Sequence, residues 1–590
     1  MSLQFILGSA GQDHRTPMVT ALAQQVTAHP TDQSYYLVPN HIKFETEVDV
    51  LSALKEQIAP EQALFAQTQV QVFSFTRLAW FFMKNEPIYQ LPRISPAGLN
   101  MLIYQIIQTH ADELTIFRGE VDRPGFVSQL ATQLAEFKVG QVTAADLMSA
   151  IEQLDTTNTD LQAKLHDLMI IYEAFETQMM GKFVENTDLL NQLATYLEQQ
   201  VDLQHAHFYL EGFSQLSAQE RQLVAILIQR SASVTVALNL DHGYPQKLPD
   251  KTMLFFQSAK LYQQLYLVAQ ANRVPILIDQ QAKTARVSAD LQALDTYWQA
   301  SQTLSPQPSV VEKPTHIQIV QAANRYVEVS RVATQIRQLV ATGNYRYRDF
   351  LVLTRHLDAY QTVIDPIFQA QAVPYFDDAD IRMADHPFVE LLNALFDVQR
   401  RNYRYADVFR VLKSELLLPR DADGELMAVP AYRQALALTE NFVLKNGLEG
   451  QHWWTQDKDW VYNRFAVGDG GVQTTRDDQI SAQINRIRRF VKQTLPPFFA
   501  RLKVAATYTD AAAVLYQFVA NAGVSERLMT WRDQAIAAGD LTKAGQPEQT
   551  WAAFCDILDE FHTILGDLPT VLPDFQALLQ AGFALSLIHI

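Results

Sequence analysis

The stretch FILGSAGQDHRTPMV (5–19) reads as an apolar strand, a small glycine turn and the start of a helix. That layout belongs to a phosphate-binding loop at the head of an α/β sheet. A working loop reads G-x-x-x-x-G-K-[ST]: its backbone amides and lysine surround the phosphates, and its hydroxyl holds Mg²⁺. Gly8 and Gly11 are present, but Asp13 stands at the second required glycine, His14 at the lysine and Arg15 at the hydroxyl. The shape of a nucleotide site is kept and its chemistry is not. His14 and Arg15 are able to touch a phosphate through charge; the simpler reading is a solvated turn. Thr16 is placed to cap the helix, with Pro17 in the first helical position.

Working outward, LQFILG, SYYLVPN and QVQVF read as strands, separated by helical stretches such as IKFETEVDVLSALKE, and SFTRLAWFFMKN follows as a helix that Ser74 is placed to cap. Strand and helix in alternation predict a parallel sheet covered on both faces. From Ser95 to about Gln200 apolar residues recur at helical spacing only. Strands return at HFYLEGF (207–213) and SVTVALNL (233–240), and ASQTLSPQPSVVEKPTH (300–316) reads as a linker. IQIVQ, DFLVLTR and VPYF, with helices between them, predict a second α/β unit; beyond Pro387 the pattern is mainly helical. The expected fold class is therefore α/β, with two parallel-sheet cores and inserted helical domains. The boundaries are 1–94 with 201–299 for the first core, 95–200 for an inserted helical domain, 300–316 for the linker, 317–386 for the second core and 387–590 for a mainly helical domain.

Composition narrows the classes. At 590 residues the chain exceeds one compact core, and 48% hydrophobic with 19% charged residues suits a globular protein. A formal net charge of −17 is unlike a small DNA-binding module, yet leaves room for a local basic groove. Cys555 is the single cysteine, so no disulfide or cysteine-metal cluster can form within the chain, which suits a reducing, cytoplasmic setting. The N-terminus lacks the features of a signal peptide, and no apolar run reaches the roughly 18 residues of a membrane span.

Eight stretches in order carry a resemblance: the degenerate loop, YLVPNHIKFETE (36–47), VFSFTRLAW (72–80), MIIYEAFE (169–176), FYLEGFSQLSAQE (208–220), RYRDFLVLTR (346–355), VPYFDDADIRMADHPFVELL (373–392) and YADVFRVLKSELL (405–417). The chain resembles, over nearly its whole length, the B subunit of the ATP-dependent helicase/deoxyribonuclease of Gram-positive bacteria, the AddB/RexB family, in its lactic-acid-bacterial form. The resemblance implies a superfamily 1 helicase-like fold in the non-motor half of a heterodimer that processes double-strand DNA ends for homologous recombination and repair. The implied partner is the motor, the A subunit of that heterodimer, which uses the ATP. The 5′→3′ exonuclease with its Mg²⁺ lies in a C-terminal domain, and the family-like pattern fades after Gly582 or Phe583, so the chain is expected to stop short of that domain and to lack catalytic residues, bound cofactor and metal.

A helicase-like scaffold offers a groove for single-stranded DNA, built from basic residues for the backbone and aromatics that stack on bases. Arg77 and Trp80 share a helix face three residues apart, and Phe75 sits at a strand-to-helix turn, where α/β sheets place ligands. His41 and Phe213 occupy equivalent strand ends. By resemblance this region helps to recognise the Chi sequence. The same aromatics also read as core. The acidic end of FYLEGFSQ offers only Glu211, short of the paired carboxylates a motor needs. Arginine clusters at 325–337 and 346–355, at 400–410 and at 486–492 read either as phosphate contacts or as solvated faces. DDAD (377–380) and MADHP (383–387) read as structural. A purely structural partner protein, making no specific DNA contact, remains a second reading; an active helicase or phosphotransferase is disfavoured by the missing lysine.

Overall fold

A computed structural model describes residues 1–40, 43–62, 65–120, 123, 125–154, 158–185, 188–302, 316–376, 381–421, 423–463, 473–585 and 587–588. Strand β1 (Leu3–Gly8) leads into α1 (Arg15–Ala28), β2 (Gln33–Leu37), α2 (Lys43–Ile58), β3 (Val70–Phe73) and α3 (Phe75–Met83). Five helices follow: α4 (Pro96–Thr109), α5 (Phe126–Gly140), α6 (Ala144–Glu152), α7 (Thr159–Met179) and α8 (Leu189–Gln199). The sheet resumes with β4 (Ala206–Leu210), α9 (Ala218–Arg230), β5 (Ser233–Asn239), α10 (Phe256–Ala271), β6 (Gln280–Gln281) and α11 (Ala289–Gln302). Next come α12 (Arg325–Ala341), α13 (Gln361–Ala370), and a run of further helices from Pro387 to Leu585.

Strand order is β3-β2-β4-β5-β1-β6, and every neighbouring pair is parallel. The parallel sheet expected from the sequence is therefore present. Its strands are apolar on both faces because side chains alternate with a period of two and both faces carry helices. One face buries Phe5, Leu7, Tyr35, Leu37, Phe208, Val234 and Val236 against α3, α8, α9 and α10. The other buries Ile6, Tyr36, Val72, Tyr209 and Ala237 against Met18, Val19 and Leu22 of α1 and Val50 and Leu54 of α2.

The chain divides into two compact units: Met1–Arg93, Thr132–Asn158 and Glu176–Val320 form the first; Ile94–Ala131, Thr159–Phe175 and Gln321–Ile590 form the second. Within the second unit, α4 is tied to a helix spanning Leu541–Leu565. Ser95 caps α4 and donates its own amide (2.9 Å) and hydroxyl (2.7 Å) to the Glu560 carboxylate. Gly98 permits that approach, since a Cβ there would lie 2.8 Å from the carboxyl group.

The second α/β core is where sequence and structure part. No strand forms at 317–321, 349–355 or 373–376, although α12 and α13 form and pack together. The apolar runs have strand composition, but a parallel strand needs neighbours on both edges and cover on both faces, and the described residues supply neither. Most of the linker (303–315) and DDAD (377–380) lie outside the described residues.

Candidate functional site

The carboxyl ends of β1, β2, β3 and β4 share one edge of the sheet, where parallel α/β folds bind ligands. At the end of β1 the glycine turn is closed on itself. The Ser9 amide donates to the Gln12 side chain (2.9 Å), the Ser9 hydroxyl to Asp295 on α11 (2.6 Å), and the Asp13 amide to the Thr284 carbonyl (2.8 Å). His14 Nε2 lies 3.2 Å from the Gly8 carbonyl, and Arg286 donates to the Ala10 carbonyl at 2.8 Å. Burial holds the His14 imidazole below its ordinary pKa, against the opposing effect of the Gly8 carbonyl. The cap on α1 is the Asp13 carboxylate, which accepts from the amides of Arg15 (3.0 Å) and Thr16 (3.1 Å); Thr16 itself lies inside the helix. The amides of Ser9, Gln12, Asp13, Arg15 and Thr16 are thus bonded within the chain.

Arg15 completes the closure. Its Nε lies 3.2 Å from Glu211 at the end of β4, and its Nη1 is 2.6 Å from Asp49 on α2. Tyr36, fully buried, donates its hydroxyl to Glu211 at 2.7 Å. Burial, with the neighbouring Glu211 carboxylate, pushes the Tyr36 phenol well above its ordinary value. Burial alone would lower the Arg15 guanidinium; Glu211 foremost reverses that and leaves it raised. A guanidinium therefore neutralises the acid where a motor would neutralise its carboxylates with Mg²⁺.

The edge strand β3 presents a different surface. Ser74 caps α3, accepting from the Arg77 amide at 3.3 Å. Arg77 is exposed, and its guanidinium carbon lies 4.0 Å from the centroid of the half-buried Trp80 ring; Lys84 Nζ is 5.0 Å from the same ring. Two cations thus share one indole. Among the described residues no carboxylate lies within ion-pair distance of Arg77. Phe75 is only 5% exposed and packs on Phe213 with centroids 5.2 Å apart. Phe75 is thus core rather than an open stacking platform, its ring held by the apolar layer beneath α3, while Phe213 is half-buried beside it. His41 lies outside the described residues.

Most members of two of the arginine clusters are engaged in ion pairs. Arg488 is 2% exposed and bonds Asp459, Asn485 and the Gln456 carbonyl; Arg489 also pairs with Asp459, and Lys492 with Asp457. Arg400, Arg401 and Arg410 converge on Asp397, Asp407 and Glu390. His386 of MADHP is a helix cap: its Nδ1 accepts from the Phe388 amide at 3.2 Å, and burial pushes its imidazole down to about 4.

Residues 5–295, which hold all of the six-stranded sheet but the first two residues of β1, match the family model described as ADDB, N-terminal. The chain belongs to the AddB family. It is 99% identical over 584 residues to the B subunit of the ATP-dependent helicase/deoxyribonuclease of Levilactobacillus brevis, covering 99% of this chain and 49% of that AddB relative. The corresponding B subunits of Latilactobacillus sakei and Lactiplantibacillus plantarum are 48% and 47% identical over 595 and 593 residues, again with 49% of each covered. The chain spans about half the length of the curated AddB relatives it matches.

Proposed function

We propose that this chain is the DNA-gripping part of the B subunit of a heterodimeric, ATP-dependent helicase/deoxyribonuclease that processes double-strand DNA ends for recombination and repair in the cytoplasm. Single-stranded DNA runs along the carboxyl edge of the sheet, where Arg77 meets phosphate or a base edge and Trp80 and the half-buried Phe213 offer apolar surface to bases; Chi recognition takes place there. The carrying observation is the stack of exposed Arg77 and Lys84 on the half-buried Trp80 ring, in a chain of net charge −17 whose arginine clusters at 400–410 and 486–492 are largely engaged by carboxylates. The closed loop at Gly8, Gly11 and His14 supports the companion reading that this chain takes no nucleotide and that its motor partner, the A subunit, uses the ATP. The Mg²⁺-dependent nuclease belongs to polypeptide beyond these 590 residues.

The test is single-stranded DNA binding by the complex with the motor partner, for wild type, Arg77→Ala and Trp80→Ala. Loss of one base stack is worth about 1–3 kcal/mol, roughly a 5- to 150-fold weaker Kd. Arg77→Ala is expected to abolish the response to Chi. Intact complexes with unchanged DNA binding in both variants would refute the proposal and leave the chain a scaffold for its partner.

A further inference from the structure

Within the second unit, a cavity of about 310 Å³ opens between the helix Thr475–Lys503, the helix Tyr508–Asn521 and the segment carrying Leu418 and Arg420. That volume is at the lower end of the range of small-molecule sites. Three kinds of group line it. The first is aromatic: the Phe498 and Phe518 rings stack with centroids 4.1 Å apart and planes 25° from parallel, and the half-buried Phe490 lines the same cavity.

The second is cationic. Arg501 is exposed and donates to the Gln517 side chain, and among the described residues no carboxylate lies within ion-pair distance of it. Arg420 Nη1 donates to the Gly424 carbonyl at 2.8 Å, which fixes the guanidinium. Its pairing with Glu526 at 3.2 Å joins side chains 41% and 50% exposed, a weak bond in water. The third is an acceptor without its usual donor. In a helix the Gln493 carbonyl accepts from the amide of residue 497, or from that of 496 where the turn tightens. Both are prolines and have no N–H. Gln493 and Pro497 both line the cavity, and a carbonyl freed in this way takes its donor from outside the helical ladder.

An aromatic wall, two guanidinium groups and a freed carbonyl match the parts of a nucleotide: a flat base, a phosphate and a base N–H. A simple anion would leave the rings and the carbonyl unused, and an apolar ligand would leave the arginines unused. We propose that this cavity binds a nucleoside 5′-monophosphate. The base lies against Phe490 and the Phe498–Phe518 pair and donates an N–H to the Gln493 carbonyl; Arg420 and Arg501 take the phosphate. A free mononucleotide and the 5′-phosphorylated end of a DNA strand share this chemistry. The site is independent of the DNA-binding proposal at Arg77.

Calorimetric titration of this 590-residue chain with dAMP, with inorganic phosphate and with a short 5′-phosphorylated oligodeoxyadenylate tests the proposal. Saturable dAMP binding is expected, with a Kd below about 1 mM. Arg501→Gln should weaken it at least about tenfold, because a bond to a charged group is lost. Phe490→Leu should weaken it about fivefold or more and leave inorganic phosphate unchanged. Pro497→Ala returns an amide to the Gln493 carbonyl, so it should weaken dAMP while holding or raising the melting temperature, a separation that a merely structural role would not produce. Oligonucleotide binding tighter than dAMP and lost in Arg501→Gln assigns the site to a strand end; dAMP bound as tightly or more tightly assigns it to the free mononucleotide. No saturable dAMP binding, inorganic phosphate bound as tightly as dAMP, or unchanged dAMP affinity in the variants overturns the proposal. Oligonucleotide binding lost in Arg77→Ala and kept in Arg501→Gln belongs to the sheet edge, and without saturable dAMP binding it overturns the proposal as well. Arg501 is exposed, so Arg501→Gln decides the matter should Phe490→Leu fail to fold.

Discussion

Arg15→Met removes the guanidinium that joins α1 to β4 and α2 while keeping most of the aliphatic stem. The Glu211 side chain is 14% exposed and Arg15 is 32% exposed, so this pair lies between a surface bridge, worth about 0–1 kcal/mol, and a buried one, whose breakage costs about 3–5 kcal/mol. Asp49 is 60% exposed and adds less than about 0.5 kcal/mol. The loss is then about 2 kcal/mol, set mainly by leaving Glu211 with the Tyr36 hydroxyl and no cation. Since 1.36 kcal/mol is a factor of ten, native-state exchange of the β4 and α1 amides should quicken roughly thirtyfold. Glu211→Gln removes the stranded charge, so the double variant should recover more than about 1 kcal/mol relative to the sum of the singles. Additivity within about 0.3 kcal/mol, or exchange in Arg15→Met within twofold of wild type, would refute the view that an internal ion pair locks the loop.

Two other predictions concern the second unit. His386 carries an imidazole held down to about 4 against an ordinary 6.5, so its stabilisation is complete above about 6.5 and is lost as pH falls toward 4; the bound is about 3 kcal/mol. His386→Asn keeps a capping side chain and should flatten that part of the stability–pH curve, measured by urea unfolding between pH 4 and 7. Arg488→Met should cost about 3 kcal/mol by stranding buried acceptors, with single-stranded DNA affinity unchanged in the folded protein; a fall in affinity at intact stability would restore that cluster as a DNA contact.

Sequence reading located β1 to β5 because strands buried on two faces are nearly uniformly apolar, and that signal needs no partner to be seen. β6 escaped it: Gln280 and Gln281 pair through backbone alone and carry no apolar signature. The Arg77–Trp80 face was legible from a spacing of three, and the Ser74 cap from its position. Partners distant in sequence were not. Glu560 meets Ser95 across 465 residues, and Arg488 meets Asp459 across 29, so arginine runs that look free along the chain are neutralised in space. The cap of α1 went to Asp13 because its carboxylate reaches two amides, whereas Thr16 lies within the first turn. The runs at 317–376 mislead for the opposite reason: local composition is right for strands, but a strand is a property of its neighbours.

The closed turn at the head of β1 also bears on timing. In nucleotide-driven α/β proteins the corresponding loop opens and closes around phosphate, and the sheet edge beside it alternates between two affinities. Here Ser9, Gln12, Asp13 and Arg15 spend their polar groups on partners within the chain, so opening the turn would first have to break these bonds. On the proposed DNA-gripping reading, a strand lying across that edge would meet one geometry at every step.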